Sequence, residues 1–96
     1  MHIGACVVTL HLAASGSLKD KRQVIRSLQE RLRRQFNVAV AEVEEQDAWQ
    51  TAVLGLVVVS NEAGHAARQI ERIVETIEQT RLDAEVVDRQ LDVIAF

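Results

Sequence analysis

A single cysteine, Cys6, stands in the 96 residues. An internal disulfide is therefore excluded, which suits a reducing compartment. Aromatic side chains are scarce: there is no Tyr, and only Phe36, Trp49 and Phe96 are present. No apolar run approaches the ~20 residues of a membrane span. The chain opens on a strand-like pattern, without a basic segment, an apolar stretch and a small-residue cleavage site in series, so a cytoplasmic protein is expected. No linker, low-complexity tract or internal repeat divides it. Chemical signatures are missing as well. There is no nucleophile elbow, no phosphate-loop glycine pattern and no histidine pair at the i, i+4 spacing of a helical metal site. A protein without cofactor or metal, and not an enzyme, is the expectation.

What is present suits one soluble domain over residues 1–96. Hydrophobic residues make up 48% and the net charge is −3. A chain this short buries about 60–70% of its unfolded surface, too little for two cores. Residues 3–12 alternate as a strand, with Cys6, Val8, Leu10 and Leu12 on one parity and Ile3, Ala5, Val7, Thr9 and His11 on the other. Small residues 13–17 mark a turn. Leu18, Ile25, Leu28, Leu32 and Phe36 build one apolar stripe of a helix over 18–36. Ser17 is its expected N-cap, Asp20 the far member of a capping-box-like pair, and Asn37 its stop. A second strand over 38–43 leads through the polar 44–47 into a third, centred on the apolar 53–59. Ser60 or Asn61 caps a second helix carrying Ala66, Ile70, Ile73, Val74 and Ile77, closed by Thr80 and Arg81. Residues 84–96 read as one bent strand or two short ones, because Asp88, Arg89 and Gln90 interrupt them.

The order β-α-β-β-α-β, with right-handed crossovers, predicts an α+β ferredoxin-like sandwich, two helices on one face of an antiparallel sheet. The other face stays open. Ile3, Ala5, Val7 and Thr9 fall there, joined by one parity of the third strand: either Val53, Val57 and Val59, or Leu54, Leu56 and Val58. Such an aliphatic patch exceeds what a monomer usually exposes. A homodimer through this open sheet face is the expectation, with cover by the fourth segment or a loop as the alternative.

Charge is unevenly placed. Residues 19–34 hold seven cations and two acids, a net of +5, whereas the rest carries four Arg and twelve acids, a net of −8. At 100° per residue Lys19, Arg22, Arg26 and Arg33 lie within roughly 60° of one another, away from the apolar stripe. Such a line can track a phosphate backbone or be an ordinary solvated face. Lys21 falls on the apolar side, where it must snorkel or find a carboxylate, as a structural ion pair or a ligand contact. Free N–H groups at Ser15, Gly16 and Ser17, just before the helix, could hold an anion. Glu42, Glu44, Glu45 and Asp47 suit a solvated hairpin tip better than catalysis, which needs a pocket. His2, His11 and His65 show no ligand spacing. Trp49 either covers a core end or anchors a partner. Base stacking on open-face aromatics is disfavoured, since no aromatic lies in the first strand or the centre of the third.

Residues 17–22 (Ser-Leu-Lys-Asp-Lys-Arg), Phe36-Asn37-Val38, Ala41-Glu42-Val43, Gln46-Asp47 with Trp49-Gln50, and Leu54-Gly55 before the valine run resemble the YlxP-like family, domain of unknown function 503. The resemblance covers roughly residues 1–83, and 86–96 look less typical. It implies a ferredoxin-like fold and a cytosolic bacterial protein, dimeric, with genes for translation initiation and ribosome-binding factors as neighbours. It implies no catalytic residues. Its hallmark at 17–22 coincides with the basic segment. The leading expectation is thus contact with ribosomal RNA or a ribosomal subunit through Lys19, Lys21, Arg22, Arg26 and Arg33. An assembly module meeting protein alone, and a small-ligand or anion-binding domain, are the alternatives.

Overall fold

A computed structural model describes residues 1–80 and 83–96. The elements are β1 (His2–His11), α1 (Leu18–Gln35), β2 (Ala39–Glu44), β3 (Thr51–Ser60), α2 (Ala63–Thr80) and β4 (Glu85–Ala95). The strands pair in the order β2-β3-β1-β4, every pair antiparallel. The expected helix closure at Arg81 lies outside the described residues.

One face of the sheet carries the core. Cys6, Val8 and Leu10 of β1 stand opposite Leu56, Leu54 and Ala52 of β3. They pack under Ile25, Leu28 and Leu32 of α1 and Ala66, Ile70, Ile73, Val74 and Ile77 of α2. Each buried Leu or Ile here contributes about 1.5–3 kcal/mol. Gly4 lets α2 approach β1 closely. A Cβ there would stand 2.9 Å from Val58 and 3.2 Å from the Ala66 carbonyl oxygen.

Register decides which parity of β3 faces outward. Ile3, Ala5 and Thr9 pair with Val59, Val57 and Val53, so these valines share the open face and the leucines face the helices. The final segment is one strand. Its register shifts opposite Thr9 and Leu10, leaving Val87 as the extra residue of a bulge. The polar interruption then has a physical reason: Asp88 and Gln90 pair with Thr9 and Val7 on the open face, and Arg89 reaches Glu71 of α2 at 2.8 Å.

Ser17 caps α1, its Oγ accepting from the Asp20 N–H at 3.0 Å. The helix ends without a left-handed residue: Phe36 is extended, at φ −135° and ψ 151°, and Asn37 keeps a negative φ. Before the second helix Ser60 closes a local turn, its Oγ accepting from the Glu62 N–H at 3.1 Å one residue short of α2, so this bond does not cap the helix. No helix among the described residues is long and apolar enough to cross a membrane.

Candidate nucleic-acid interface

The geometry of α1 divides its cations. Lys21 points inward and is 1% exposed. Its Nζ donates to the carbonyl oxygens of Glu45 (2.7 Å), Gln46 (3.1 Å) and Thr51 (3.2 Å). The Glu42 carboxylate lies 2.9 Å away. It meets the ammonium as an ion pair, beside the three carbonyl bonds, and its Oε2 accepts no hydrogen bond. Three N–H groups meet three carbonyls, so none is left for a phosphate. Of the two roles open to Lys21, the geometry gives it the structural one. It ties α1 to the β2–β3 turn, and it is corrected out of the set of nucleic-acid contacts.

Lys19, Arg22 and Arg26 are exposed, and no ion pair within 4.0 Å engages them among the described residues. Arg33 shares their flank and is exposed too, but donates to the Val40 carbonyl of edge strand β2 at 2.9 Å. That bond spends one of five guanidinium N–H groups. It also places the stripe on the side of α1 nearest β2. Every exposed residue of α1 is polar. Two cations outside the expected stripe lie on the other flank of α1, towards α2. Arg31 and Arg34 border a polar cleft of about 370 Å³ with Ser27 and Thr80. Their presence in the +5 segment was the sequence signal for them.

The turn before α1 serves the helix. Ser15 is buried, its N–H donates to Leu12 O (3.1 Å) and its Oγ to Ser17 O (3.1 Å). The Gly16 N–H donates to the Asp20 carboxylate at 3.0 Å. That carboxylate sits where a bound anion would, and Asp20 and Asp83 both line the small hollow beside the turn. The anion-loop reading of Ser15, Gly16 and Ser17 is corrected accordingly: the chain's own acid has taken the Gly16 donor, and a second anion there meets negative charge.

The remaining candidates are scattered. His11 stands opposite Thr51 on the open face, across the sheet from Lys21, so the two share no pocket. Glu42 turns inward, whereas Glu44, Glu45 and Asp47 are exposed. Trp49 is 55% exposed and outside the core. Its neighbour Gln50 pins the turn by donating to Ala13 O (3.1 Å) and Ser15 O (3.2 Å). Burial pushes the Cys6 thiol above its ordinary range, Glu71 adding to this and Arg89 opposing it. No group of three His, Cys, Asp or Glu among the described residues is arranged to hold a metal.

Fold and surface together define a small ferredoxin-like α+β domain with a basic outer helix. The chain belongs to the family described as "Protein of unknown function (DUF503)", whose model matches residues 3–91. It is similar to the "Uncharacterized protein YlxP" of Bacillus subtilis (strain 168), 33% identical over 64 residues, which is 67% of this chain and 70% of that relative. The family match runs to residue 91 and so takes in much of β4, the segment expected to be less typical.

Proposed function

We propose that this protein is a non-catalytic factor that contacts RNA, in the setting of a ribosomal subunit, through the outer surface of α1. One observation carries the reading: Lys19, Arg22 and Arg26 are exposed, unpaired among the described residues and aligned with Arg33 along one flank. The line spans about 21 Å at 1.5 Å per residue. Folding does not ask for it. A cation in the first turn opposes the partial positive charge of a helix N-terminus, so Lys19 costs a little stability where it stands. With no aromatic on the strands' open face, contact is by charge and shape, and the affinity is salt-dependent.

Co-sedimentation with purified ribosomal subunits tests this. Binding at low salt and release at high salt are expected. The double variant Arg22→Glu/Arg26→Glu should lose at least tenfold in affinity and show a flatter dependence on log salt. No binding by the wild type at low salt, or equal binding by the variant, overturns the proposal.

A further inference from the structure

The open sheet face is polarised in the opposite sense to α1. Val7, Val57, Val59 and Ile94 are 41%, 43%, 53% and 48% exposed on it. A shallow trough of about 500 Å³ runs along its middle, walled by Val57, Gln90 and Asp92, with Ala5 and Gly55 on its floor. A Cβ at Gly55 would stand 2.9 Å from Val43, so the small residue keeps the floor low. Register places Glu85, Asp88 and Asp92 of β4 on this face, opposite His11, Thr9 and Ala5. Glu44 joins from β2, opposite Val53. No Lys or Arg of the four strands shares the face.

We propose that the open face docks a basic amphipathic helix of another protein, its apolar stripe in the trough and its Lys or Arg residues against Asp88, Asp92, Glu85 and Glu44. The inference is independent of the RNA reading, because it uses the opposite side of the molecule. Sheet backbone groups on this face are already paired, so contact is through side chains, and a helix offers an apolar stripe wide enough to cover the valines. Charge selects the occupant. A second copy packed face to face about a two-fold axis brings the same carboxylates together with no cation between them. A second copy packed with α1 into the trough offers cations but no exposed apolar residue. Only a partner with both features satisfies both halves of the surface.

The test is an anisotropy titration of the full chain against two labelled 18-residue helical peptides, one of Leu and Lys and one of Leu and Glu in the same pattern. The Leu/Lys peptide should bind and the Leu/Glu peptide should not. Asp88→Asn/Asp92→Asn should weaken binding several-fold. Val57→Asp should weaken it at least tenfold although it adds negative charge; Val59→Asp is the second variant should Val57→Asp lose its circular dichroism. Unchanged or tighter binding by the Asp variants means general attraction to an acidic protein and overturns the proposal, as does failure of the Leu/Lys peptide to bind. So does a wild-type dimer in sedimentation equilibrium that Val57→Asp dissociates, because the occupant is then a second copy. Arg22→Glu/Arg26→Glu should leave peptide affinity unchanged, which separates this surface from the RNA-contacting one.

Discussion

Lys21 shows how much one side chain can decide. An ammonium group inside a core is tolerable only when its N–H groups and its charge are met, and here three carbonyls and one carboxylate do so. Lys21→Met should cost about 3 kcal/mol in urea unfolding, because the carbonyls and Glu42 are left unmet. Glu42→Gln should cost only about 1 kcal/mol, since the carbonyl bonds persist and Glu42 is partly solvated. Cys6 makes a second prediction at this scale. It is 2% exposed, and burial raises its thiol above the ordinary range. A raised acid keeps its stabilising, protonated form below the ordinary thiol value, about 8.5, and loses that contribution as pH climbs past it. Wild-type stability should therefore fall above that pH by more than Cys6→Ala does, and native protein should resist iodoacetamide until unfolded. The sequence showed Lys21 as a misfit on an apolar stripe. It did not show the partners, which lie 21 to 30 positions away.

At the scale of the element, α1 trades stability for its surface. Ser17 and Asp20 favour its start, whereas Lys19 opposes the local helix field. Lys19→Glu should raise Tm by about 2 °C while weakening RNA binding, a divergence visible by calorimetry and filter binding on the same sample. A purely solvated stripe would move the first reading and not the second. The Arg89–Glu71 bridge joins β4 to α2 but is nearly half exposed at each end, so its loss should be hard to measure. Periodicity made both helices legible, down to Leu18 as the first residue of α1. It misjudged the exit. Asn37 suits a left-handed stop, yet the chain leaves through an extended Phe36 that packs against the core.

The whole molecule is charge-separated: cations on the outside of α1, carboxylates around an apolar trough on the opposite side. The net of −3 conceals this. The two surfaces should respond to salt independently, α1 through release of counterions from a polyanion and the trough by screening of a few pairs over an apolar contact. Raising salt from low to physiological strength should therefore weaken RNA binding more than peptide binding, read by paired titrations on one preparation.

Element order, the core-facing residues of both helices and the gathering of cations on one helix followed from the sequence alone. Each depends on residues within a few positions of one another, where helical and strand spacing rule. Tertiary structure decided which valines of β3 face outward, that β4 is one bulged strand, that Lys21 and the Gly16 N–H are already satisfied, and that the acids of β4 share a face with those valines. These outcomes depend on sheet register and on charges meeting across distant segments, and no local pattern encodes either.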